Sequence, residues 1–120
     1  MKEYLSISFG DTFRANYPDT PLMVVVGIAN NAVHASSIRY LESGRRYINT
    51  LSGTVDIYDI FEIVERLNLD EIRAGIILGC EIIYKDFPHL ISEMKVIVTQ
   101  SLEEESKKSP IILHPFKPQL

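Results

Sequence analysis

The segment Arg39-Tyr40-Leu41-Glu42-Ser43-Gly44-Arg45-Arg46-Tyr47 gathers guanidinium groups and phenol rings into one short stretch. Glu42-Ser43-Gly44 has the length and the glycine of a three-residue hairpin loop. If Leu41 pairs with Arg45, Tyr40 stands opposite Arg46 and Arg39 opposite Tyr47, so that each of those two guanidinium groups lies beside a ring. Guanidinium forks grip phosphate or carboxylate, and tyrosine rings offer stacking faces. Arg39, Tyr40, Arg45, Arg46 and Tyr47 are therefore the expected ligand site, for an anionic small molecule such as a nucleotide. The plainer reading is a solvated hairpin whose cross-strand pairs only stabilise the sheet.

Other chemistry-bearing residues give weaker signals. Asp56, Asp59, Glu62 and Glu65 recur every third residue, an oxygen-rich series of the kind that holds magnesium or calcium, but without a calcium-loop pattern. A solvated face explains them better, and no metal or cofactor is expected. His34, His89 and His114 lack the paired spacing of a zinc site. Either His34 or His89, working with a carboxylate such as Asp11, would make a small hydrolase or transferase. The single cysteine, Cys80, lies in the most apolar stretch with no sequence neighbour to activate it. Gly27 to Asn31 follows an apolar strand but carries no phosphate-binding glycine pattern, and reads as a turn.

The elements that must position these residues are read from periodicity. Leu5, Ile7 and Phe9 alternate with polar neighbours as in a half-buried strand, and Gly10-Asp11 turns the chain toward a second strand. Pro18-Asp19-Thr20-Pro21 breaks it. Leu22 to Ile28 reads as a central strand, and Asn30-Asn31 suits a tight turn into a further strand, although a helix capped there is the alternative.

Beyond Gly53 the pattern turns helical. Ile57, Ile60, Phe61, Val64 and Leu67 fall at helical spacing, with Thr54 as N-cap. Asn68 and Glu71 form a capping box that opens a second helix to about Lys85. Pro88 opens a third, with Leu90, Met94, Ile97, Val98 and Leu102 as its stripe. The fold expected is α+β: an antiparallel meander over 3–51, two or three helices over 54–108, one domain over 1–109, and an extended proline-containing arm over 110–120.

Composition bounds the partners. The 120 residues are 46% hydrophobic and 23% charged, with net charge −4. Residues 1–53 hold five basic against four acidic side chains, whereas 54–109 hold six against twelve. That balance argues against a general nucleic-acid binder. No apolar run is long enough to span a bilayer, and nothing near Met1 resembles a signal peptide. A cytoplasmic location is the expectation.

The stretch from Leu69 to Lys85 is apolar around most of its circumference and needs cover on every side. Gly75 and Gly79 would let another backbone approach. A self-association seam through Ile72, Ile76, Gly79 and Ile83 is therefore expected, with a central core helix as the alternative. It is not a recognition helix, because isoleucines do not read bases. Together these features point to a small, oligomeric, non-enzymatic binding or regulatory protein. The hydrolase and a purely structural interaction module stand as alternatives.

Overall fold

The computed structural model describes residues 4–16, 21–30 and 32–115, and the side chains of 6–16, 21–30 and 32–112 among them. The elements in order are β1 (Tyr4–Ile7), β2 (Asp11–Ala15), β3 (Met23–Ala29), β4 (Ala32–Tyr40), β5 (Arg46–Ile48), β6 (Gly53–Asp56), a 3-10 turn (Ile57–Asp59), β7 (Ile60–Arg66), α1 (Leu69–Ile83), α2 (Pro88–Lys108) and β8 (Ile112–Pro115). The architecture is α+β, an antiparallel sheet followed by two helices. Asp19, Asn31 and 116–120 lie outside the described residues, and with them the centre of the expected proline breaker and the end of the expected arm.

β3 and β4 form the long hairpin anticipated from their apolar run, with Ala29 opposite Ala32 and Asn30 at φ +53°. Asparagine tolerates that left-handed backbone better than most residues. β4 then carries two strands on its other edge: β6 along its first half and β5 along its last three residues. β2 lies beside β3, and β7 closes the far side against β2.

This order forces the sheet to curl. Laid flat, β6-β4-β3-β2-β7 would hold β6 and β7 about 19 Å apart at the usual strand spacing. Yet one 3-10 turn of three residues joins them, and such a turn advances only about 2 Å per residue. The two edges must therefore converge at the end where that turn joins them. An ion pair between Arg46 on β5 and Glu65 on β7 spans the same closure.

Residues 54–66 correct the helix expected there. They form β6, the turn and β7. The cause is visible in the register: Phe13 faces Ile63 and Thr12 faces Glu65, while Arg14 faces Glu62 and Ala15 faces Ile60. Val64 and Phe61 are thus extra residues at two bulges, and each bulge stretches the inward repeat from two to three. Ile60 and Ile63 both point into one cluster as a result, and the 3-10 turn, whose own repeat is three, adds Ile57 to it. A doubly irregular strand has borrowed a helix-like period. The bulge at Thr12 is sealed by its own hydroxyl, which accepts from the Glu65 N–H at 3.0 Å and donates to the Glu65 carbonyl at 3.1 Å.

Two apolar clusters result. The inner one lies within the curl and contains Phe13, Val25, Ile28, Val33, Val55, Ile57 and Ile60. β1 and β8 pair with each other and add Ile7 and Ile112 to it. The outer cluster lies between the sheet's other face and the helices, with Val24, Ile38, Ile48, Leu67, Ile72, Ile76, Cys80 and Leu102. α1 opens on the capping box read from the sequence: Asn68 Oδ1 accepts from the Glu71 N–H at 2.8 Å, and Glu71 Oε1 accepts from the Asn68 N–H at 3.1 Å. α2 begins at Pro88 as expected. Its stripe is only partly used, since Leu102 is buried but Ile97 is exposed.

The apolar helix α1 finds its cover within the chain. Ile72, Ile76 and Cys80 are buried, and Gly75 and Gly79 face β5. A Cβ on Gly79 would stand 2.2 Å from the Ile48 carbonyl oxygen, and one on Gly75 would stand 2.9 Å from the Ile48 side chain. The glycines let α1 settle onto this chain's own sheet. Of the expected seam residues, only Ile83 remains exposed. No helix among the described residues is long and apolar enough to cross a membrane.

Candidate functional site

The arginine-tyrosine hairpin has the register its sequence predicts. Arg39 is opposite Tyr47 and Tyr40 opposite Arg46. The loop is closed by Leu41 N–H to the Arg45 carbonyl at 2.9 Å and Gly44 N–H to the Leu41 carbonyl at 2.9 Å. Gly44 takes φ +88°, the left-handed position that a three-residue hairpin reserves for glycine.

Strand alternation then divides the five residues. Ile38 and Ile48 face the helices, so Arg46 and its cross-strand partner Tyr40 share their side, while Arg39 and Tyr47 start from the other, the Tyr47 ring still reaching within 3.7 Å of a Cβ placed on Gly79 of α1. Arg45 and Arg46 border a hollow of 240 Å³ whose far wall is α1, with Glu71, Ala74 and Gly75. Arg46 is already committed there. Its hydrogen bond to Glu65 holds the guanidinium above its ordinary pKa, and the nearby charges of Glu65 and Glu71 reinforce that against the desolvation of burial. An anion entering this hollow would meet two carboxylates.

Arg39 has a different setting. With Tyr40 and Tyr47 it borders a hollow of 440 Å³ that Arg14, Pro21 and Leu22 complete. Arg39 makes no ion pair among the described residues. Arg14, contributed by β2, was not legible as a partner because the curl of the sheet brings it there. Its ion pair with Glu62, at 3.6 Å, leaves both side chains half exposed; such pairs contribute about 0.2–1 kcal/mol and yield readily to a competing anion. Tyr40 is 59% exposed and presents an open ring.

The remaining candidates are spent on structure or stand apart. Asp11 is buried, and its carboxylate accepts from the Ser8 N–H at 2.9 Å, the Ser8 hydroxyl at 3.2 Å and Arg66 Nε at 2.9 Å. That bonding holds the Arg66 guanidinium above its ordinary pKa. It leaves no Asp11 oxygen engaged with either histidine expected to act as base. His89 is exposed at the start of α2, and His34 lies on β4 along a separate groove. The His114 side chain lies outside the described residues.

The three-residue acid series is distributed as well. Asp56 caps the 3-10 turn by accepting from the Tyr58 N–H at 2.9 Å, Glu62 meets Arg14, and Glu65 meets Arg46. Among the described residues no group of three His, Cys, Asp or Glu side chains is placed to hold a metal ion. Burial pushes the Cys80 thiol up and away from its nucleophilic form, with Lys95 opposing only in part. No family model, curated protein or solved structure matches the chain.

Proposed function

We propose that this chain is a non-enzymatic binding protein that takes a phosphate- or carboxylate-bearing small molecule at the Arg39 end of the β4–β5 hairpin. The observation that supports this reading is Arg39, which has no ion pair among the described residues, bordering the same 440 Å³ hollow as Arg14, Tyr40 and Tyr47. Two guanidinium groups supply charge-assisted hydrogen bonds to an anionic group. The exposed Tyr40 ring supplies a stacking face for a planar part of the ligand, which makes a nucleotide the leading member of the class. Arg45 and Arg46, opposed by Glu65 and Glu71, take no part.

Titration calorimetry of the wild type against inorganic phosphate, pyrophosphate and a panel of nucleoside mono-, di- and triphosphates tests it. Arg39→Ala should weaken the tightest of these at least about tenfold, the effect of one lost charge-assisted contact. Arg46→Ala should leave the affinity unchanged. Absence of binding to every member of the panel, or equal losses in both variants, refutes the reading.

Self-association is a second reading, and the surface that favours it is no longer the glycine face of α1. Val96 and Ile97 on α2 are each 58% exposed, an adjacent apolar pair of the kind that interfaces use. Light scattering should then show a larger species that Ile97→Glu reduces to one copy. An unchanged mass in that variant rejects the contact.

A further inference from the structure

We propose that the groove between the β3–β4 hairpin and α2 binds an uncharged amphipathic small molecule, its polar head toward Ser36 and His34 and its apolar body along Val26, Ile76, Val98 and Leu102. This site is separate from the Arg39 hollow and does not rest on it. The groove measures 390 Å³, which falls in the range of about 300–1,000 Å³ that small-molecule sites occupy.

Ser36 gives the groove its chemistry. It is only 3% exposed and lines the groove, and no group among the described residues hydrogen-bonds its hydroxyl. Among the described residues only Arg73 Nε is a fully enclosed side-chain atom without a partner, so the Ser36 hydroxyl opens onto the groove and can bond a group held there in place of water. The His34 imidazole, two residues earlier on the same face of β4, adds a nitrogen that accepts and another that donates when the ring is neutral. Ser101 on α2 and Ser52 beyond β5 complete a polar rim around an apolar floor.

The charge preference follows from the groove's lower end. Lys108 Nζ lies 3.1 Å from Glu105 Oε1. The Ser109 hydroxyl donates to the other Glu105 oxygen at 3.5 Å and accepts from the Ile28 N–H at 3.1 Å. This relay ties the end of α2 to β3 and neutralises both charges before a ligand arrives. Gly27 makes room for it, since a Cβ there would stand 2.9 Å from Glu105 Oε2. A charged ligand finds no opposite charge unpaired in the groove and must shed water over an apolar floor. A neutral hydroxyl or amide head meets Ser36 and His34 instead.

Three probes of equal chain length separate these outcomes: hexan-1-ol, hexanoate and hexylammonium, each followed by amide chemical shifts in labelled protein. Hexan-1-ol should shift residues 26–29, 34–36 and 97–105 saturably, and bind at least about tenfold more tightly than either charged probe, as uncompensated charge burial dictates. Ser36→Ala should weaken it about three- to tenfold, the worth of one hydrogen bond. Ser101→Phe, at an exposed helical position, should fill the groove and remove the shifts while melting near the wild type. Absence of saturable shifts, meaning that water alone fills the groove, overturns the proposal. So does equal affinity for the charged probes, or persistence of the shifts in Ser101→Phe.

Discussion

The inner and outer clusters use the same aliphatic residues but are closed by different means. The inner one is wrapped by the strands of a curled sheet, and none of the three hollows described above is lined by one of its residues. The outer one is covered by two helices laid across the back of the same sheet, and the 240 and 390 Å³ hollows open along that join. Backbone pairing sets strand separation at a fixed value, whereas helices settle on a sheet only as closely as their side chains allow. Truncation should therefore be felt more in the first region than beside the two hollows of the second.

Substitutions can break that contrast. Phe13, fully buried in the inner cluster, should cost about 3–5 kcal/mol on truncation to alanine, read by chemical denaturation. Leu102→Ala, beside the outer groove, should cost no more than about 2–3 kcal/mol because the neighbouring space is already open. Equal losses would erase the distinction. Gly79→Ala should destabilise by about 1–3 kcal/mol, since its new Cβ meets the Ile48 carbonyl oxygen and α1 must lift. Retention of wild-type stability would mean that α1 does not sit down on β5.

Smaller effects sharpen the picture at the curl. Asp11→Ala should cost about 2 kcal/mol, because it removes charge-assisted bonds to Arg66 and leaves the Ser8 N–H without its carboxylate. Arg46→Ala should cost under about 1 kcal/mol, since its pair with Glu65 is partly exposed. A melting curve that falls more for Arg46→Ala than for Asp11→Ala would show that the ion pair, rather than the strand pairing, holds the edges together.

Local chemistry was legible in the sequence where residues act on near neighbours. The Asn68–Glu71 box, Pro88 at the start of α2, the Gly44 loop and the cross-strand order of the arginine-tyrosine hairpin all follow from spacings of a few residues. Long-range pairing was not legible. Phe61 and Val64 became bulges only because β2 runs alongside, and without β2 in view their spacing is that of a helix face. Gly75 and Gly79 were correctly marked as a place of close approach, but the approaching backbone is Ile48 of this chain rather than a partner's. The candidate site divided for a related reason. Alternation within a curled sheet sends Arg46 toward Glu65 and Glu71 and leaves Arg39 with Arg14. Ser36 gave no signal at all, because a serine in a strand becomes noticeable only when its surroundings are known.

The clasp between β1 and β8 has a mechanical consequence. Tyr4 lies opposite Pro115 and Ile7 opposite Ile112, so residues 4 and 115 stand side by side at one end of the pair. Tension applied through those two points loads the rungs in succession from the outside, peeling them apart instead of sliding the strands past each other. The first part to yield under pull would be this clasp, with the Phe13 core still shut behind it.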